Sequence, residues 1–110
     1  MTSKLCELLT MHAVINHLPL LKTTDWAELA RTFETFETML QAKYPGFRGC
    51  TLIREADDAG ILVVTFDTRE DLDNISKNVA APWFAEHVRP LLAGAVSRSV
   101  GEVVVGSALS

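Results

Sequence analysis

The run from Leu5 to Leu18 places leucine, methionine, valine, isoleucine and alanine at both alternating sets of positions, with too few polar residues for either face to be solvated. A strand of that kind needs cover on both sides, and the rest of the chain has to supply it. With 110 residues the chain is read as one domain, residues 1–110, large enough to bury about two thirds of its unfolded surface without a disulfide or metal staple.

The cover begins with a helix. Asp25 followed by Glu28 forms a capping box, and Trp26, Leu29, Ala30, Phe33, Phe36, Leu40 and Tyr44 recur at helical spacing. Pro45-Gly46 stops it, because proline disfavours helix at the preceding residue and glycine accepts a left-handed turn. Phe47 to Ala56 and Ile61 to Asp67 then flank Asp57-Asp-Ala-Gly60, which reads as a hairpin turn closing on a left-handed glycine. Thr68 caps a second helix through Asp71, with Leu72, Ile75 and Val79 inside. Ala80-Ala-Pro82 breaks it and opens a further short helix, which Pro90 and Gly94 end. Ala95 to Gly106 alternates as a last strand, with Val96, Val100 and Val104 on one side and Val103 and Val105 on the other.

The order β-α-β-β-α-β is the split βαβ arrangement of α+β, ferredoxin-like folds: a four-stranded antiparallel sheet with helices on one face. Two helices leave the other sheet face open. A second copy packed through the open faces, as a homodimer, covers both and encloses a cavity between them.

Composition excludes several classes. Ten basic against fourteen acidic residues give a net charge of −4 with no run of like charge, so no broad positive surface is offered to nucleic acid or anionic lipid. Ile61-Leu-Val-Val-Thr-Phe-Asp67 carries one aromatic and no cation, unlike the RNA-recognition domains that share this topology. Neither a signal sequence nor a span of about 20 apolar residues is present, so no membrane partner is expected and the setting is taken as cytoplasmic. Cys6 and Cys50 then read as small buried hydrophobes. No metal-ligand spacing, phosphate loop or nucleophile elbow occurs, and no cofactor is expected.

Four stretches carry a resemblance: Tyr44-Pro-Gly-Phe-Arg-Gly-Cys50, Val63-Val-Thr-Phe-Asp-Thr-Arg-Glu-Asp-Leu72, Pro82-Trp-Phe-Ala-Glu-His87 and Arg98-Ser-Val-Gly-Glu-Val103. Through them the chain, from about Leu5 to Val105, resembles the antibiotic-biosynthesis-monooxygenase-like family of the dimeric α+β barrel superfamily. The resemblance implies a small homodimer whose cavity binds an aromatic or quinone-like compound, oxidised in some members by molecular oxygen without metal or flavin. Other members degrade haem, using an Asn on the first strand, a Trp, and a His that ligates iron. Asn16, Trp83 and His87 are the matching residue types here, although Trp83 and His87 stand one helical turn apart, closer than in that branch.

Thr10, His12 and Asn16 share one strand face with Leu8 and Val14. If that face looks into the barrel, His12 can remove a phenolic proton, the first requirement for activating a substrate towards oxygen, with Asn16 beside it. The competing reading is a hydrogen-bonded interior histidine. Trp83 can stack on a planar ligand while His87 hydrogen-bonds it; the alternative is that both pack the helix onto the sheet. His12, Asn16 and His87 are thus the candidate catalytic residues, and Thr10, Arg54 and Trp83 the candidate ligand contacts. Arg54 is included because Cys50 and Leu52 share its strand face. Arg48, Arg89 and Arg98, and Arg54 in its alternative reading, are ion-pair partners at the surface or an interface. Binding without catalysis is the alternative function on the same scaffold.

Overall fold

The computed structural model describes residues 10–106, so the expectations for Leu5, Cys6 and Leu8 fall outside the described residues. The elements are β1 (His12–Pro19), α1 (Trp26–Lys43), β2 (Phe47–Ala56), β3 (Ala59–Phe66), α2 (Arg69–Ile75), a π-helical turn (Ser76–Ala80), α3 (Ala81–His87), a 3-10 turn (Arg89–Leu91) and β4 (Ser97–Glu102). The sheet order is β2-β3-β1-β4, with each neighbouring pair antiparallel, as the expected ferredoxin-like topology requires.

The two capped helices start where the sequence says they should, and for the expected reason. The Asp25 carboxylate accepts the Glu28 amide of α1 at 3.1 Å, and the Thr68 hydroxyl accepts the Asp71 amide of α2 at 3.0 Å. Leu29, Phe33, Phe36 and Leu40 form the buried stripe of α1, while Leu72 and Ile75 anchor α2. They meet Val14, Leu18, Leu62, Val64 and Phe66 from one face of the sheet in a single apolar core.

The pairing β1 to β3, Val14 opposite Val64 and Asn16 opposite Leu62, puts the even-numbered residues of β1 on this helix-covered face. Ala13, Ile15 and His17 look the other way, alongside Ile61 and Val63 of β3 and Ile53 of β2. Ile15 and Ile53 are 36% and 43% exposed there.

Three expectations change. Pro82 does not break the helix, because the preceding turn widens: the Ala81 amide reaches back five residues to the Ser76 carbonyl, so the chain passes from α2 to α3 with helical dihedrals at Ile75, Ser76, Ala80 and Ala81. The wider turn accommodates a residue that has no amide to donate and whose ring would crowd the carbonyl four residues back.

The hairpin turn is shorter than expected, with β3 starting at Ala59, and no glycine among the described residues has positive φ. Gly60 is there for space. A Cβ on it would sit 3.0 Å from Cη2 of Trp26, whose indole N–H donates to the Asp57 carbonyl at 2.9 Å. Gly46 likewise leaves room for the Asp71 carboxylate.

The last strand is Ser97–Glu102 rather than 95–106, and its open face carries Ser97, Ser99 and Gly101 in place of valines. Val104 and Val105 follow it, 83% and 91% exposed. The apolar open face therefore belongs to β1, β2 and β3.

Cys50 faces α1 and is half-buried, and its thiol is pushed up from 9.0 to about 12 by burial and, secondarily, by the Glu37 carboxylate. That carboxylate accepts the Cys50 backbone amide at 2.9 Å. Two outcomes follow from this packing. Phe66→Ala is expected to destabilise the fold by about 3–5 kcal/mol and Leu72→Ala by about 2–5 kcal/mol, measured by urea denaturation, since both side chains are fully enclosed. Because folded Cys50 keeps a proton that the unfolded chain releases above pH 9, stability should fall as pH rises from 9 towards 12, and Cys50→Ala should flatten that fall.

Candidate functional site

Between the helix-covered face of the sheet and the helices lies a cavity of about 410 Å³. Ligand sites typically run from roughly 300 to 1,000 Å³ and are mostly apolar, with a few placed polar groups. This one has that character. Its floor is Val14, Leu62, Val64 and Phe66 of the sheet, one wall is Phe36 and Leu40 of α1, and the facing wall is Ile75, Ala80, Ala81, Phe84 and Ala85. Leu92 and Val96 complete the apolar lining, and the polar side chains are those of Asn16, Ser76, Arg89 and Arg98.

The cavity exists because small residues stand where the helical segment passes over the sheet. Ala80, Ala81 and Ala85 fill less than the leucines and phenylalanines opposite them, and the π turn swings this stretch round without ending it. Asn16 and Arg98 are direct partners across the β1–β4 ladder, so their side chains share the cavity-facing side. Arg89 starts the 3-10 turn. That turn is tied to the end of β1, where the Leu21 amide donates to the Leu91 carbonyl and the Ala93 amide donates to the Pro19 carbonyl.

The expected meeting of His12, Asn16, Trp83 and His87 round one cavity does not occur; of the six candidate residues, only Asn16 lines it. Trp83 lies one layer behind the wall. Its ring stacks on Phe36 at 3.9 Å and 13° and leans on Phe33 at 5.3 Å, so it buttresses the aromatic that does face the space. His87 packs on Trp83 at 4.8 Å, with Nε2 3.2 Å from the Glu86 carboxylate and its side chain partly in solvent.

His12 is on the helix-covered side but at the start of β1, where its ring Nδ1 donates to the Thr10 carbonyl at 3.2 Å. Through that carbonyl Thr10 serves the strand end. Arg54 pairs with Asp57 at 2.7 Å and lies over Trp26 at 5.3 Å, in a separate groove beside α1 and β2 that also contains Cys50 and Leu52.

The space lies within one chain, on the helix side of the sheet. Arg89 and Arg98, expected as ion-pair partners, contribute instead to the cavity lining. Arg98 had a signal in the sequence. It alternates with Val96 and Val100, so a cation stands in the middle of an apolar strand face. Arg89 and Phe36 had none, since a helical phenylalanine and an arginine before a proline do not by themselves mark a cavity.

Among the described residues no histidine, carboxylate or cysteine lines the cavity, and none form a cluster of three or more His, Cys, Asp or Glu side chains able to hold a metal ion. No described helix is long and apolar enough to cross a membrane.

No family model matches the chain, and no curated protein matches its sequence. Solved structures do match in shape. A Caulobacter crescentus protein named as an antibiotic biosynthesis monooxygenase aligns over 89% of this chain and 93% of its own, with TM-score 0.70 and 18% identity. SnoaB, a cofactor-independent oxygenase from Streptomyces nogalater, aligns in a single-substitution mutant form over 83% and 90%, with TM-score 0.66 and 17% identity. The heme-degrader MhuD from Mycobacterium tuberculosis, with two hemes bound in its active site, aligns over 86% and 96%, with TM-score 0.63 and 21% identity. The chain thus has the ferredoxin-like α+β fold of the antibiotic biosynthesis monooxygenase-like proteins.

Proposed function

We propose that this chain is a monooxygenase-like protein that binds a small aromatic or quinone-like compound in the cavity between its sheet and helices. The observation that carries the reading is the lining itself: a space of about 410 Å³ walled by Phe36, Phe66 and Phe84 with a single side-chain amide, Asn16, on its floor. Flat rings gain most from such walls, and the amide fixes their orientation through one oxygen. SnoaB is described as a cofactor-independent oxygenase, which supports oxidation by molecular oxygen as the chemistry. On that reading the ligand is the reductant, and its ionised hydroxyl is the reactive form. The Asn16 amide and a neighbouring guanidinium are the groups suited to stabilise such an oxyanion.

Binding without turnover is a second reading, and one observation favours it: among the described residues no general base lines the cavity, and the three histidines all lie elsewhere. Haem is a poorer fit as substrate, because His87, the imidazole expected to ligate iron, faces Trp83 and Glu86.

The same proposal includes a homodimer closed through the open sheet faces, in the cytoplasmic setting expected from the sequence. Ala13, Ile15, Ile53, Ile61 and Val63 give that face a continuous apolar centre, which a second copy would bury.

Calorimetry with hydroxylated anthraquinones is expected to give one site per chain, and an oxygen electrode to show consumption if turnover occurs. Ala85→Trp should abolish binding while leaving the circular dichroism spectrum unchanged, and Asn16→Ala should lower affinity or turnover by about tenfold, a lost hydrogen bond to a charged oxygen. His12→Ala should leave binding unchanged. A folded Ala85→Trp that still binds would rule out this cavity as the site. Light scattering should return twice the mass of the chain, and Ile15→Glu should halve it.

A further inference from the structure

Four of the six arginines are engaged by a carboxylate: Arg31 by Glu28, Arg48 by Asp67, Arg54 by Asp57 and Arg69 by Asp73. Among the described residues, Arg89 and Arg98 have no such partner, and both line the cavity. Both are exposed to solvent where they border the cavity, so their charge is open to an incoming anion rather than neutralised from within the chain. Asp73 borders a second groove that Arg98 also lines, but its carboxylate lies 3.1 Å from Nε of Arg69.

We infer that the ligand of this cavity carries a carboxylate, bound by Arg89 and Arg98 while its ring system lies against the apolar walls. The inference rests on the proposed site and adds the ligand's charge and polarity. The two guanidinium groups come from different elements. Arg98 is held by the β1–β4 ladder opposite Asn16, and Arg89 by a turn pinned to the end of β1, so both are fixed by the same strand. A guanidinium offers a carboxylate a fork of parallel donors, which an ammonium does not. Apolar lining cannot satisfy an anion, so the acidic group belongs beside the guanidinium groups and the rings against Phe36, Phe66 and Phe84.

The test compares anthraquinone-2-carboxylate with anthraquinone-2-carboxamide, which have nearly the same shape and differ in charge, by calorimetry on the full chain. The acid is expected to bind about tenfold or more tightly than the amide, and only the acid's affinity should weaken with added salt. Arg89→Gln and Arg98→Gln should each reduce the affinity for the acid by more than that for the amide, narrowing the preference. Neither guanidinium is part of the buried core, so both variants are expected to fold, which circular dichroism checks. If both probes bind wild type within twofold of each other, or the glutamine variants keep the preference, the carboxylate inference fails while the aromatic site stands. If neither probe binds, the aromatic reading of the cavity fails, and this inference with it.

Discussion

The register between β1 and β3 is the constraint on which the rest of the molecule depends. With Val14 opposite Val64 and Asn16 opposite Leu62, one face of the central strands receives Val14, Leu18, Leu62, Val64 and Phe66 and packs on both helical layers. A slip of one residue would exchange that set for Ala13, Ile15 and His17, leaving α1 and α2 without a complementary surface. The same register fixes Asn16 on the covered side and, through the pairing of β1 with β4, brings Arg98 alongside it. Packing and site are therefore set by one choice of alignment.

Above that face the helices do different work. α1 is continuous, and its stripe of large side chains seals most of the sheet. The segment from α2 to α3 is anchored at Leu72 and Ile75, then turns through a π-helical stretch and presents small side chains at the points nearest the sheet. Sealing at one end and incomplete cover at the other produce a cavity without any sacrifice of the core. Phe36 belongs to both parts, closing the cavity on one side and receiving the stacked Trp83 on the other.

Much of the fold was legible in the sequence because it rests on local rules. Caps at Asp25 and Thr68, the periodic stripe of α1 and the apolar runs of β2 and β3 each follow from a spacing and a donor or acceptor count. The site was less so, and the reasons are specific. Strand alternation says that His12 and Asn16 share a face but not which layer covers it, and the covering layer is helical. Trp83 and His87 do share one helical segment, yet the π turn rotates that segment so that Phe84 and Ala85, not Trp83, line the space. The glycines in turns suggest left-handed backbone, whereas Gly46 and Gly60 are explained by the close approach of Asp71 and Trp26. Contact of that kind joins residues far apart in the chain and leaves no mark in a local pattern.

The alanines of the cavity wall carry a further consequence, for how proteins of this shape diverge. Ala80, Ala81 and Ala85 set the volume of the space but are not among the fully buried positions that hold the sheet to α1. Exchanging them for larger or more polar side chains reshapes what can be accommodated at little cost to folding, whereas truncating Leu29, Phe33, Leu40 or Leu72 would open the core. The architecture can thus be kept while the space inside it is remade.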